Sequence, residues 1–434
     1  MAASALPELR RAARALRRSP VVSAVSVLVL ALGIGASAAV FSVLDGVFLE
    51  PLPYPEPDEL AYVWETTSNF TRGSVSGPDF LDWQEQQRSF EVLAAMRPTE
   101  ITLAADERAE RLPAMTVSPE AFRVLGVEPV LGRAFTREDQ APEEPDAVIV
   151  GHGLWTRRFD ADPGLVGRTL SLGGRPRTVV GIMPRGFDIP SPWGETDRAH
   201  DVYEPFARAS LEQNRGSHWF FVLGRLADGA SVEAARADMA AIMERLAEAY
   251  PDTNAGRSVR VTAMHEDLYG RAGRRLLLVL GAAGLLLLVG CGNVAGVQLA
   301  RATARRRELA IRTALGAGRL RVARELLVES LILAGMGGTL GVVLAWTGVE
   351  GLRSLLAASL PRVAGVGLDP AMLAFAAGAS VFTAVVFGAA PALTVRRMDL
   401  ATPLREGGRG GASDGREGLR SAFIVGQLAL SLVL

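Results

Sequence analysis

Reactive side chains are scarce in this chain. It holds one cysteine, four histidines and 46 basic residues, every one of them arginine. A phosphate-binding G-x-x-x-x-G-K-[ST] loop needs its lysine to reach the phosphates. A chain with no lysine therefore has no Walker A site of its own. "GCGNVA" (290–295) fits G-x-G-x-x-A, but it lies within an uncharged apolar run. The dinucleotide fingerprint works only at a strand-to-helix turn. Cys291 stands alone, which excludes an intramolecular disulfide framework and any multi-cysteine metal site. His152, His200, His218 and His265 are far apart and lack paired-ligand spacing, so they read as solvated or internally satisfied. "GSVSG" (73–77) has valine where G-x-S-x-G needs its nucleophile. The pairs Asp79/Asp82 and Asp106/Glu107 read as surface charge. No catalytic, cofactor-binding or metal-binding residue is assigned, and no cofactor is expected.

The charges are informative in another way. The net charge of −1 points to neither nucleic acid nor a polyanionic partner. Between Glu50 and Arg275 the balance is −11, and over the rest of the chain it is +10. Such segregation means two environments.

Four uncharged runs explain it. Val21–Leu44, Leu276–Ala300, Ser330–Val349 and Ala371–Val395 hold 24, 25, 20 and 25 residues. About 20 apolar residues at helical rise cover the bilayer core, and lipid leaves no partner for an unpaired backbone group. Transmembrane helices are expected at 21–49, 276–300, 327–358 and 371–395, with the start of a fifth at 421–434, where the chain stops. Residues 1–20, 301–326 and 396–420 are the arginine-rich segments, and arginine marks cytoplasmic loops. The N-terminus is then cytoplasmic and the acidic block 50–275 lies outside. A cleavable signal peptide ending near "ASA" (36–38) is the rival reading of the first run, but apolar character continues to Leu49.

Within the outside block, "HWFFVLGRL" (218–226) reads as a strand and Asp228-Gly229 as a turn. Ser231 is placed to cap a helix. Val232, Ala235, Met239, Ile242 and Leu246 then recur at helical spacing, and Ser258–Met264 closes a β-α-β unit. "DELAYVWET", "GPDFLDWQEQQRSFEVLAAM" and "EITLAAD" suggest a similar unit near the block's start. "RTLSLGGRPRTVVGIM" reads as a hairpin turning at Gly173-Gly174. The block is thus expected to be α+β, with a β-rich insertion from about 127 to 206.

Polar residues in or beside the spans, Asn293, Gln298 and Glu329, stand out because such groups are costly in lipid. Glu329 could serve a function or simply pair with Arg321 or Arg324. Gly292 with Gly296, and Gly337 with Gly341, have the small-xxx-small spacing of helix–helix contacts.

The loop between the second and third runs carries more pattern than orientation requires. "RRRELAIRTALGAG" can form a short helix ended by Gly316 and Gly318, with Glu308 and Arg312 at i,i+4 in the favourable order. Leu309, Ile311, Ala314 and Leu315 supply apolar contact. Either an interfacial helix on anionic headgroups or a docking helix for a cytoplasmic partner would have these features.

"RRRELAIRTALGAGRLRVARELLVESLIL" resembles the loop after the second span of MacB/FtsX-type ABC transporter permeases. "APALTVRRMDLATPLREGGR" (390–409) resembles the segment that closes their four-span unit. "SVSGPDFLDWQEQQRSFEVLAA", "VSPEAFRVLGVEPVLGRAFTRED" and "LWTRRFDADPGLVGRTLSLGGRPRTVVGIMPRGFDIP" are similar to the MacB-type periplasmic domain. The opening through "VFLEPLPYPEPDELAYVWE" resembles the acidobacterial duplicated orphan permease branch, of which this would be the N-terminal half.

The resemblance implies an inner-membrane permease subunit that couples ATP hydrolysis by a separate cytoplasmic ABC ATPase to movement of a periplasmic domain. Glu308, Leu309, Ile311, Arg312, Ala314, Leu315 and Gly316 would form the coupling helix, with Thr313 departing from the family's frequent basic residue. It further implies pairing with a second four-helix unit, in the same polypeptide or a homodimer, and a periplasmic protein partner. The alternative is a membrane-anchored FtsX-like regulator of an envelope enzyme.

Overall fold

The computed structural model describes residues 12, 14, 16–104, 109–141, 143, 145–192, 199–304, 319–356, 367 and 369–397. Among them the helices of eight residues or more are α1 (Pro20–Leu44), α2 (Gly77–Gln86), α3 (His152–Phe159), α4 (Val232–Ala249), α5 (Met264–Ala304), α6 (Arg319–Leu356) and α7 (Pro370–Arg397). The chain divides into two compact units, one with Glu50–Arg271 as its main part and one built by Met1–Leu49 and Ala272–Ala357 with most of the later chain.

In the helical unit α1 starts with Pro20 at its first position, where the missing N–H costs nothing. α7 also starts on a proline, and Met372 N donates to Asp369 Oδ1 at 2.6 Å to cap it. α1, α5 and α6 contain windows long and apolar enough to cross a membrane: Pro20–Leu44, Met264–Arg301 and Arg324–Gly351. In α7 the apolar described stretch is shorter, Pro370–Val386. α1 does not continue to residue 49 as an α-helix. It stops at Leu44, and Asp45–Leu49 forms one π-helical turn. The sequence "DG" begins that turn, and Phe48 from it packs where a Cβ on Gly273 of α5 would stand. Phe41 of α1 stacks on Phe375 of α7, centroids 4.4 Å apart.

In the α+β unit the strands are β1 (Leu60–Thr66), β2 (Val75–Ser76), β3 (Phe90–Leu103), β4 (Glu110–Val117), β5 (Leu131–Gly132), β6 (Ala147–Val150), β7 (Thr169–Leu172), β8 (Arg175–Ile182), β9 (Val202–Pro205), β10 (His218–Leu226) and β11 (Ser258–Ala263). They form one sheet in the order β11-β1-β10-β3-β4-β9-β6-β8-β5. β1 runs antiparallel to both β10 and β11, and β10 antiparallel to β3. The units β1-α2-β3 and β10-α4-β11 are therefore two split β-α-β motifs, each opened by a strand of the other. Ser76 accepts from Asp79 N and Ser231 from Ala234 N, so both helices begin on a side-chain cap. Phe80 and Trp83 of α2 and Ala235, Met239, Ile242 and Leu246 of α4 bury against Val63, Leu93, Val222 and Val261 of the sheet.

A second core gathers Leu112, Ala114, Val148, Val150, Leu165, Leu172, Val179 and Val202. It also takes Ile101 and Leu103, so the second lobe begins well before residue 127. β3 is 14 residues long and serves the first core with Phe90, Leu93 and Ala95 and the second with its last residues. The β7–β8 hairpin turns at Gly173 and Gly174, both with positive φ (62° and 78°), the backbone that a two-residue primed turn demands.

Candidate functional site

The segment 305–318 lies outside the described residues, and with it Glu308, Leu309, Ile311, Arg312, Ala314, Leu315 and Gly316. Its approaches are described. Near the end of α5, Arg301 donates to the Ser19 carbonyl at 3.2 Å and to Ser23 Oγ at 3.5 Å. The last turn of α5 is thereby tied to the first turn of α1. Gln298 and Glu329 are buried, whereas Asn293 is exposed.

The four singled-out glycines divide. A Cβ on Gly337 of α6 would meet Leu30 Cβ at 2.7 Å, and one on Gly341 would meet the Ala31 carbonyl oxygen at 3.1 Å. Both residues pack onto α1. Gly292 is buried. A Cβ on Gly296 would meet nothing within 4 Å, so that residue makes no close helix contact among the described residues. Gly35 of α1, which the spacing argument missed, faces Gly341.

Among the buried ion pairs of the α+β unit, which include Arg177–Glu204, two clusters lie around Asp79 and Asp267. Asp79 is not surface charge. It is fully buried in the first turn of α2, accepts from Ser76 Oγ (2.7 Å) and Asn254 Nδ2 (2.9 Å), and pairs with Arg215 at 2.5 Å. Arg215 also reaches Asp82 at 2.7 Å and lies over the Tyr250 ring, 3.8 Å from its centroid. Beside it Glu65, with no exposed side-chain surface, pairs with Arg257 and stands 3.6 Å from His218 Nε2. Burial pushes the Glu65 carboxyl up to about 7 against the opposing pull of Arg257. Burial likewise holds the His218 pKa down, with Arg257 adding to it.

The second cluster is centred on Asp267 in the first turn of α5. Arg72 pairs with it at 2.6 Å and Trp64 Nε1 donates to the same oxygen at 3.2 Å. Neither Arg72 nor Asp267 carries a local sequence signal, because 195 residues separate them. Of the histidines, His200 is buried with Nδ1 2.6 Å from Asp188, and His152 lies edge-on to Trp155. Among the described residues no group of three histidine, cysteine or acidic side chains could hold a metal ion. These clusters position elements, and nothing in them presents a nucleophile or a paired acid and base to solvent.

Two family models match the chain in succession: a MacB-like periplasmic core domain over residues 23–242 and an FtsX-like permease C-terminal domain over 280–400. The macrolide export ATP-binding/permease protein MacB of Chromobacterium violaceum is 26% identical over 289 residues, which is 65% of this chain and 42% of the relative. That of Azoarcus sp. is 28% identical over 302 residues, 69% of this chain and 43% of the relative. The chain thus spans less than half the length of these curated relatives. Among solved structures, the periplasmic region of MacB from Actinobacillus actinomycetemcomitans is similar with a TM-score of 0.37 and 12% identity, covering 54% of this chain and 97% of that one.

Proposed function

The chain belongs to the MacB/FtsX-type permease family, as a membrane permease with a MacB-like periplasmic α+β domain, and from that premise we propose that it is the permease subunit of an ABC-type export or mechanotransmission system. In this reading α1, α5, α6 and α7 form a four-helix membrane unit in the inner membrane, with the N-terminus and the loop 305–318 in the cytoplasm. A separate ABC ATPase docks on that loop through Leu309, Ile311, Ala314 and Leu315, while Glu308 and Arg312 keep it helical. A second four-helix unit completes the assembly. Nucleotide-driven closure of the ATPases then moves the periplasmic domain, so that work rather than a solute crosses the bilayer.

One observation carries the reading. The arginine-dense stretch 301–324 lies between two long apolar helices and inside the region that matches the FtsX-like permease model. Eight arginines in thirty residues exceed what orientation needs, and the interleaved apolar residues give the segment a face to dock with.

Co-purification tests it. The full-length chain, gently solubilised from its own host, is expected to bring down an ABC ATPase in stoichiometric amount. The variant Leu315→Asp is expected to lose that partner while still inserting in the membrane. Retention of the ATPase by the variant would overturn the docking assignment. Recovery of an envelope enzyme in place of an ATPase would favour the regulator.

A further inference from the structure

The segment joining β8 to β9 passes Asp188–Pro192, sequence "DIPSP", in the second lobe. Its two prolines have no N–H, so this stretch cannot be held as a regular sheet strand from that side. Its carbonyls are held instead. Tyr54 Oη donates to the Asp188 carbonyl at 2.8 Å, Tyr62 Oη to that of Pro190 at 2.8 Å, and Arg72 to that of Pro192 at 3.3 Å. Three first-lobe side chains therefore receive a second-lobe segment. At its start the Asp188 carboxylate accepts from the backbone N–H of His200 at 3.0 Å and lies 2.6 Å from His200 Nδ1.

Arg72 differs from the two tyrosines. The same terminal nitrogen that donates to Pro192 also pairs with Asp267 Oδ2 at 2.6 Å, and its guanidinium lies 5.0 Å from the centroid of Trp64. Asp267 sits in the first turn of α5, the helix that runs on to Ala304. Its carboxylate is 2% exposed and shared with Trp64 Nε1, so it has little freedom to change partner.

We infer that Arg72 is a positioning residue that couples the first turn of α5 to the second lobe through the segment 188–192. A displacement of Asp267 reaches Pro192 through one guanidinium, without passing through either hydrophobic core. The inference deepens the mechanical reading above and rests on it for its purpose. The coupling itself is a property of the folded chain and is measurable with no ATPase present.

The experiment is a double-mutant cycle read by hydrogen exchange on the full chain in nanodiscs. Mass spectrometry follows the amides of Ile189 and His200 in the native chain, in Asp267→Asn, in Arg72→Met and in the double variant. Loss of a charge-assisted hydrogen bond shifts a local opening equilibrium roughly tenfold. Asp267→Asn is expected to speed exchange at Ile189 and His200 by about that factor when Arg72 is present, and by less than about twofold in the Arg72→Met background. Additive effects, or no change at these amides in Asp267→Asn, would overturn the coupling. If Arg72→Met does not fold, Arg72→Gln replaces it. Glutamine keeps a polar side chain but removes the cation that pairs with Asp267, and it must uncouple the segment while exchange in α2 stays native.

A second arm uses any ATPase obtained by co-purification. Arg72→Met is expected to keep ATPase binding and lose the nucleotide-dependent change in exchange at Ile189. A chain that recovers no ATPase defeats the proposed function and leaves the first arm's result standing.

Discussion

A Cβ atom built on Gly35 of α1 would stand 2.8 Å from the carbonyl oxygen of Gly341 of α6, closer than real Cβ contacts come. The two helix backbones touch here with no side chain between them, and Gly337 extends the contact one turn along α6. In lipid, association rests on such close packing because apolar burial gives no drive between helices. Gly35→Ala must push the α6 backbone away. It is expected to destabilise the helical unit by ~1–3 kcal/mol, as overpacking does. Gly296→Ala meets no atom and gains helix propensity, so it is expected to be neutral or slightly stabilising. Denaturant titration of the solubilised chain, followed by loss of helix signal, checks both, and equal effects would deny the α1–α6 contact its role.

Arg215 is the cation that holds Asp79 and Asp82, and its own side chain is 15% exposed. Removing it leaves the Asp79 carboxylate buried with only Ser76 and Asn254. Breaking a buried pair from one side costs about 3–5 kcal/mol, and Arg215→Met is expected to fall in that range. Asp79→Asn keeps an acceptor for Ser76 and leaves Arg215 with Asp82, so a smaller loss is expected. Trp83 reports the outcome, since it lies two turns into α2 with its Nε1 3.3 Å from Met243 Sδ. Thermal unfolding followed by its fluorescence orders the variants, and equal losses would mean that Asp79 is not the group Arg215 compensates.

These two cases mark how far the sequence could be read. Apolar runs of 20 residues and more need no partner to be recognised, and the caps at Ser76 and Ser231 are local signals of three residues' span. The Gly173-Gly174 hairpin is legible for the same reason. What stayed hidden is pairing at long range. "SGPDFLDW" shows an aspartate in a first helical turn, but its partners Arg215 and Asn254 are 136 and 175 residues away, and without them Asp79 looks like surface charge. Gly292/Gly296 and Gly337/Gly341 have one spacing and different surroundings, because spacing says which residues share a helix face and not what lies opposite. The change of helix type within the first run is hidden for a related reason, since apolar character continues to Leu49 while the α-helical hydrogen bonding gives way at Asp45 to a π-helical turn.

Glu65 contributes a pH dependence of its own to the α+β unit. In the unfolded chain its carboxyl titrates near 4.5, and burial lifts it to about 7 in the fold. Between these values the folded chain holds a proton that the unfolded chain has released. Stability therefore falls as pH rises through this window, by on the order of 3 kcal/mol in all. His218 works in the opposite sense. Its folded pKa is held below 6.5, so its contribution is lost as pH falls below that value. Glu65→Gln removes the first slope and keeps the second. Unfolding midpoints taken from pH 5 to 8 are expected to decline toward the alkaline end in the native chain. In the variant they are expected to stay level or rise, with the variant the more stable of the two above pH 7. The same profile in both proteins would show that Glu65 is already ionised throughout the range, its charge carried by Arg257.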